Sequence, residues 1–322
     1  MMLPILFSAF IDGAIFGSYA TAVGPQNPEN KVFSTNWLAI GGERDFSSRG
    51  ALFARGRFSL EPLTIPAGGY PQLFQVAGGL VDHMRAHDLV EEVAFGVEWR
   101  PLQLYLAPVG EPPLGAEPYA QRRSSIDFAE APFAYDAQES FHVATRIAAV
   151  AATSKIAAIE YGVFHASQTT GRHASIDDGN IDSWSARLTI APQSRVSLQA
   201  STGRLTSAHR KVDSASLSYN GQMFFSSAIY TKNGNDQSYG LELELELGRG
   251  TLLGRAEHVR NRTHTTLGYI FDVIRLPRQR AGIGVNVDYH GDTSALSDVY
   301  GHKPQTIYLF MRWRTDREAP TR

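Results

Sequence analysis

Three carboxylates occupy every second position of one short segment, where Glu242, Glu244 and Glu246 alternate with leucines. Successive side chains of a β-strand point to opposite faces, so this segment would have an acidic face and an apolar face. The acidic face could attract cations or form ion pairs, while the apolar face needs a hydrophobic environment. That environment is either the core of a soluble β-sandwich or the lipid around a barrel with a wet lumen.

Charged residues recur on the polar face of other segments with the same alternation. In a barrel they would point inward, because Arg or Lys facing lipid at the bilayer midplane costs about 2–4 kcal/mol. Opposed acidic and basic walls could create a transverse field that orients polar solutes, or could form ion pairs that satisfy the wall. We therefore predict a set of inward-facing, pore-lining residues: Arg57, Glu61, Glu92, Glu98, Glu160, Arg187, Glu242, Glu244, Glu246, Arg255, Glu257 and Arg312.

Two predicted loops are long enough to narrow such a pore. Loop 111–138 contains four prolines, which stiffen it, together with charges of both signs. Folded inward, it would form a constriction, and its charged residues there would be Glu111, Arg122, Arg123 and Asp127. Folded outward, loops 111–138 and 63–86 would cover the outer mouth instead.

A metal site is an alternative for part of loop 63–86 and the residues after it. His83, His87 and Asp88 combine imidazole and carboxylate, which suit divalent metals. Their spacing matches no specific zinc motif, and solvated histidines in a loop are the simpler interpretation. We expect no cofactor.

Several functional classes find little support in the composition. The chain lacks cysteine, which excludes a thiolate metal site and a thiol nucleophile. No Gly-x-Ser-x-Gly segment occurs, and abundant serine suits a wet lumen, so we do not expect an enzyme. A formal net charge of −2 gives no electrostatic case for nucleic acid.

The elements that would position these residues are sixteen predicted strands, most of them close to the length that crosses a bilayer at a tilt. Residues 1–22 are largely apolar and end in small residues, so a signal peptide is one interpretation, but they lack its positive start and contain Asp12. The alternation of residues 7–17 favours a first strand instead. If the chain is an outer-membrane protein, we would then expect an export signal to be encoded upstream of Met1. The strands lie near 4–21, 33–44, 50–62, 87–99, 102–110, 139–152, 156–167, 182–191, 195–205, 211–219, 223–232, 237–248, 251–261, 265–275, 280–290 and 305–315.

Short and long connections alternate along the chain. This alternation is typical of outer-membrane barrels, which have short turns on the periplasmic side and longer loops on the outer side. The connection predicted at 262–264 should be a long loop but is short, so it does not support this alternation, and a barrel of fourteen strands remains an alternative. The pattern predicts an all-β, antiparallel transmembrane barrel as one domain, residues 1–316, with a C-terminal tail at 317–322. A soluble sandwich would instead show Greek-key crossings.

Six short segments carry a resemblance to known proteins: FSTNW (33–37), FSLEPLT (58–64), GYP (69–71), HD (87–88), YLAPVGEP (105–112) and DSWSARL (182–188). With them the chain resembles a group of bacterial outer-membrane barrels without a settled biochemical role, and nearly its whole length resembles a Gram-negative outer-membrane β-barrel. In that group, 82–88 usually reads Asp-Arg-Gln-His-Pro-His-Asp. Here Arg85 and Ala86 replace a histidine and the proline, which weakens the metal hypothesis.

The predicted barrel with its charged inward faces leads us to expect a porin-like channel for passive diffusion of small polar or charged solutes in the outer membrane of a Gram-negative bacterium. Outer-membrane lipid would surround it, and analogy with sixteen-stranded porins suggests a homotrimer. The alternatives are a metal-associated barrel of the copper-resistance kind, a structural or adhesive barrel plugged by its own loops and, with less support, a hydrolase.

Overall fold

The computed structural model describes residues 7–23, 29–77, 79–166, 179–291, 297–301 and 303–315. Sixteen antiparallel strands form a closed barrel in which the first strand pairs with the last. The prediction of sixteen strands is confirmed, and the predicted tail at 317–322 lies outside the described residues. The barrel strands are β1 (Phe7–Val23), β2 (Asn30–Asp45), β3 (Gly50–Phe58), β6 (Val90–Trp99), β7 (Leu102–Gly110), β8 (Ala144–Thr153), β9 (Ala157–His165), β10 (Ser183–Gln193), β11 (Val196–Leu205), β12 (Arg210–Asn220), β13 (Phe224–Asn233), β14 (Asp236–Leu247), β15 (Gly250–Val259), β16 (Arg262–Leu276), β17 (Gln279–His290) and β18 (Gln305–Thr315).

Strand β14 shows why the chain folds in this way. Leu241 and Leu243 are exposed on the outer face, whereas Glu242 and Glu244 are buried on the inner face. Pairing with β13 and β15 extends the same division around the wall, since Glu242 lies opposite Ser227 on one side and Arg255 on the other. Apolar side chains outside and polar side chains inside are the reverse of a soluble sandwich, and they match a barrel that lies in lipid.

Short turns join the strands at one end of the barrel, which we call the turn end. These turns comprise residues 46–49, 100–101, 154–156, 194–195, 221–223, 248–249 and 277–278. The opposite, loop end carries the longer connections, of which 59–89 and 111–143 are the largest. Three connections at this end, 206–209, 234–235 and 260–261, are short, so the rim is low between β11 and β16.

The connection 59–89, here the hairpin loop, contains structure that the sequence did not predict. It begins with helix α1 (Glu61–Thr64) and continues with a hairpin of β4 (Tyr70–Ala77) and β5 (Leu80–Met84). The prediction that a strand runs to residue 62 with Glu61 on it is therefore wrong: β3 ends at Phe58, and α1 takes its place beside β2. The Ser59 hydroxyl donates to the Asn36 carbonyl at 2.8 Å there.

The connection 111–143, here the inner loop, also differs from its prediction. The strand expected from residue 139 begins only at Ala144, because α2 (Tyr135–Gln138) and a further turn come first. A third short helix, α3 (Ser297–Tyr300), precedes β18. None of the helices in the described part of the chain is long and apolar enough to cross a membrane.

Candidate functional site: the lumen and its inner loop

The inner loop lies inside the barrel and contacts widely separated parts of the wall. The Thr35 hydroxyl on β2 donates to the Ala129 carbonyl at 2.7 Å, and the Gly115 amide donates to the Ser201 hydroxyl on β11 at 2.9 Å. Among residues 111–143, all of which the structure describes, Glu117 alone is exposed. The loop therefore fills much of the lumen.

Prolines begin the turns that make this loop compact. The Arg122 amide donates to the Pro118 carbonyl at 2.9 Å, and the Tyr135 amide donates to the Pro132 carbonyl at 3.1 Å. The fixed φ of proline suits the first position of such helical turns. The turn after Pro118 carries Arg122 toward the acidic face of β14.

Two arginines of the inner loop neutralise that acidic face. Arg122 binds Glu242 through two hydrogen bonds of 2.7 Å, and it also contacts Glu139 at 3.1 Å. Arg123 bridges the next two carboxylates of β14, with 2.7 Å to Glu244 and a close ion pair with Glu246. Planar guanidinium groups match carboxylates in two-point contacts of this kind.

The opposite charge arrangement holds the loop to β18. Asp127 of the loop accepts contacts of 2.7 Å from both Arg312 and Arg314. Arg312 also forms an ion pair with Asp272 of β16. All four side chains are buried, so the pairs lie away from water.

Strand β15 binds the backbone and an aromatic ring of the loop. The Glu257 carboxylate accepts the amides of Phe133 and Ala134 at 3.0 and 2.8 Å. The Arg255 guanidinium lies 3.9 Å from the centre of the Phe128 ring. Cation–π and charge-assisted hydrogen bonds thus add to the ion pairs that hold the loop in one place.

The hairpin loop packs on the inner loop from the loop end of the barrel. The Ala131 amide donates to the Tyr70 hydroxyl at 3.0 Å, and the Gln72 amide donates to the Ala131 carbonyl at 2.8 Å. The Tyr70 ring stacks on Phe33 of β2 with 4.3 Å between ring centres. The two loops and the wall therefore form one packed unit.

Ionisable groups at the ends of the two loops are paired. Burial would raise the pKa of Glu111, but His142 at 3.4 Å and Arg57 at 3.7 Å outweigh it and lower this pKa to about 2. Burial would lower the pKa of His87, but the Glu61 carboxylate at 2.6 Å outweighs it and raises this pKa to about 9. At neutral pH Glu111 is therefore ionised and His87 is protonated.

The metal-site hypothesis gains no support from this geometry. His83 contacts Glu29 at 2.6 Å, and His87 contacts Glu61, so each histidine has its own carboxylate partner. In the described segments, no three or more His, Cys, Asp or Glu residues come together to hold a metal ion. The structure does not place His83, His87 and Asp88 in a common metal site.

One side of the lumen stays accessible to water toward the turn end. The side chain of Arg55 on β3 is 46% exposed although it points inward. On another part of the barrel wall, Arg187 of β10 forms an ion pair of 2.6 Å with Glu160 of β9. The side chain of Arg187 is 16% exposed and that of Glu160 is 23% exposed. Small polar residues of β11 and β12 continue this wall, and Ser197, Gln199, Ser201 and Ser218 remain partly exposed.

The same side narrows toward the loop end. Leu114 and Phe141, near the two ends of the inner loop, pack against Phe164, Leu205 and Val212 of the wall. These side chains are buried. The accessible part of the lumen thus has partly exposed polar side chains toward the turn end and buried apolar contacts near the loop end.

The structure sorts the predicted pore-lining residues into three groups. Glu98, Glu160 and Arg187 point into the accessible part. Glu61 lies in α1. The buried ones, in contact with a loop or with wall partners, are Arg57, Glu92, Glu242, Glu244, Glu246, Arg255, Glu257 and Arg312.

Several inward charged residues were missed by the sequence interpretation, among them Arg55, Arg314 and Asp272. Arg55 shares a strand face with Arg57, and Arg314 shares one with Arg312, so the two-residue period contains the signal for both. The predicted constriction residues Glu111, Arg122, Arg123 and Asp127 all lie in the inner loop. Their partners on β3, β14 and β18 come from distant parts of the chain.

Comparisons with known proteins agree with this architecture. No protein-family model matches the chain, and no curated protein matches its sequence. Among solved structures, it is similar to an anion-selective porin from Comamonas acidovorans, with a TM-score of 0.62, 12% identity and coverage of 96% of this chain and 100% of the other. It is also similar to a triple mutant of the Rh. blastica porin, with a TM-score of 0.57, 11% identity and coverage of 95% of this chain and 100% of the other.

A loop-deletion mutant of OmpT, an outer membrane protein of Vibrio cholerae, is also similar, with a TM-score of 0.56, 9% identity and coverage of 95% of this chain and 99% of the other. At these identities the similarity shows the fold alone. The chain has a porin-like barrel fold.

Proposed function

We propose that this chain is a porin-like channel in the outer membrane of a Gram-negative bacterium, where small polar solutes diffuse passively along the β6–β12 side of the lumen. The observation that carries the proposal is the Arg187–Glu160 pair, which faces a water-accessible lumen inside a closed sixteen-stranded barrel. Barrels of this strand number enclose a lumen wide enough for water.

The mechanism is diffusion through a charged passage without a covalent step or a cofactor. Hydroxyl and amide groups of Ser197, Gln199 and Ser218 replace part of a solute's hydration by hydrogen bonds. The charges of Arg187 and Glu160 orient polar solutes and influence ion selectivity. The inner loop supplies the narrow region, with Leu114 and Phe141 at its ends.

The outer face of the barrel supports the proposed membrane location. Leu241 and Leu243 and their neighbours on other strands form an exposed apolar wall that suits lipid. A homotrimer is part of the proposal by analogy with sixteen-stranded porins alone.

A loop-plugged barrel is the second candidate, and the burial of the inner loop favours it. Ion pairs on β14 and β18 hold that loop, and Arg312 and Asp127 have almost no contact with water. A barrel closed in this way would serve as a structural or adhesive component.

Planar-bilayer recordings of the refolded protein distinguish the two candidates. We expect stable current steps, with Glu160→Gln lowering cation preference and Arg187→Gln lowering anion preference, since each variant removes one charge from the passage. Arg44→Gln, on the outer face at the turn end of β2, serves as the control and should leave selectivity unchanged. A folded barrel that passes no current would instead support the plugged form.

A further inference from the structure

A cleft of about 500 Å³ lies near the loop end of the barrel where β10, β11 and β12 meet. Trp184 of β10, Arg204 of β11 and Lys211 of β12 line it. The adjoining turn adds Thr206 and His209, and Arg210 at the start of β12 completes the basic side. The cleft is therefore aromatic on one side and basic on the other.

The strand register places these side chains on the outer face of the barrel. Arg204 lies opposite Trp184 on β10 and opposite Lys211 on β12, so the three residues form a row across the strands. The neighbours Gly203 and Val212 face inward, since Val212 is fully buried and a Cβ at Gly203 would contact the Leu114 side chain of the inner loop. Alternation then directs Arg204 and Lys211 outward.

The row is basic and incompletely paired. Within the described residues, Arg204 has no ion pair or hydrogen bond through its side chain. Lys211 contacts Asp213 at 2.9 Å, but 67% of its side chain remains exposed. Asp213 also accepts a hydrogen bond from Thr202, and Lys232 lies opposite it on β13. The cations around the cleft outnumber this one carboxylate.

The location of this row near the loop end explains why basic side chains are tolerated on the lipid-facing surface of the barrel. Trp184 stacks on Tyr161 of β9, with 6.3 Å between ring centres. Outward tryptophan and tyrosine mark the boundary between hydrocarbon and headgroups. Near that boundary an outward Arg or Lys costs little, about 0–1 kcal/mol, and is close to the phosphates of the lipid.

We infer that this cleft binds the phosphate-bearing headgroup of a lipid in the outer leaflet, an inference that rests on the membrane location proposed above. The Arg204 guanidinium offers paired donors to phosphate oxygens, and Lys211 adds a second positive charge. The Trp184 ring packs against the apolar part of the same lipid, below its headgroup.

Native mass spectrometry of the full chain in phosphatidylcholine nanodiscs, titrated with diphosphorylated lipid A, tests this site. Arg204→Ala and Lys211→Ala should each weaken binding by about fivefold, and the double variant should weaken it further. Arg44→Ala removes a cation from the outer face of the turn end, so it should leave the affinity unchanged.

Two further probes identify the source of the phosphate. Lipid A without phosphates should lose most of the affinity, and inorganic phosphate alone should bind far more weakly than the lipid. Equal affinity of wild-type and double variant, or equal binding of inorganic phosphate and lipid A, would overturn the inference. A difference in electrophoretic mobility between unheated and heated samples confirms that each variant is folded. Since the readout does not use ion current, failure here is independent of the channel proposal.

Discussion

At the scale of single residues, the charges inside the barrel are mostly paired with one another. Arg122, Arg312 and Arg255 are almost completely buried, and each has a carboxylate partner within 4.0 Å. Burying an ion pair costs desolvation energy that the attraction only partly offsets, whereas removing one partner typically costs about 3–5 kcal/mol. We interpret these pairs as determinants of the position of the inner loop rather than as a large source of stability.

The His87–Glu61 pair leads to a pH-dependent prediction. The pKa of His87 rises from 6.5 to about 9 on folding, so its contribution to stability is complete below pH 6.5 and is lost as the pH rises through 9. The free energy of unfolding of wild type relative to His87→Gln should therefore fall by about 2–3 kcal/mol between pH 6 and pH 10. Urea unfolding of the refolded barrel at several pH values measures it.

Glu61→Gln provides the control for this pair. Because it removes the counter-charge of His87, the double variant Glu61→Gln/His87→Gln should differ from Glu61→Gln by an amount that hardly changes with pH. A constant difference between wild type and His87→Gln across this range would contradict the prediction.

At the scale of elements, the inner loop behaves as an additional layer against β13, β14 and β15. The Ser124 and Ser227 hydroxyl oxygens are 2.8 Å apart, and Ser124 also donates to Glu242 at 3.0 Å. Hydrogen bonds, ion pairs and a cation–π contact all act between the loop and these strands. A segment held by so many contacts should stay in place while solutes pass.

A disulfide between the loop and the wall tests this rigidity. The chain has no cysteine, so Ser124→Cys/Ser227→Cys introduces a single pair. We expect the disulfide to form on mild oxidation and to leave single-channel conductance at the wild-type value, because it fixes a contact that already exists. A conductance that drops on oxidation and recovers on reduction would show that conduction requires loop movement.

Ser124→Cys/Ser185→Cys is the matched control for that pair. Ser185 faces inward on β10, which lies three strands from β13, or about 14 Å along the wall. This variant should keep both thiols free under the same conditions. Oxidation in the control would mean that the loop samples positions far from β13.

At the scale of the whole molecule, the barrel divides into a packed half and an accessible half. The inner loop and the hairpin loop fill the side formed by β13–β18, β1 and β2. The side formed by β9–β12 keeps partly exposed polar residues toward the turn end. The size of any current should therefore depend on the inner loop more than on any one side chain.

Replacement of residues 112–142 by a short Gly-Ser linker tests this dependence. The wall charges freed by the deletion would gain water, and a sixteen-stranded barrel without an inner loop encloses a wide aqueous channel. We expect single-channel conductance to rise severalfold. Replacing the β4–β5 hairpin, residues 70–84, should change it much less, because the inner loop stays in place. Equal conductance of the loop-deleted and wild-type barrels would show that the inner loop is not the constriction.

The sequence by itself determined the wall of this protein. The alternation of apolar and polar residues in β14 identifies its two faces. The same alternation in other segments predicts the number of strands, and the spacing between those segments predicts alternating short and long connections. These properties are local, because each strand separates lipid from lumen within its own residues. The sequence missed α1 and the β4–β5 hairpin, whose stability depends on packing against β2 and the inner loop.

Only the tertiary structure decided which inward charges meet water. Arg122 and Glu242 are 120 residues apart in the chain, and no local pattern relates them. The alternation predicted equally that Glu242 and Glu160 point inward, yet the inner loop covers the first and leaves the second accessible. The reason is physical: strand direction follows from neighbouring residues, whereas the path of a loop through the lumen depends on contacts with many strands at once.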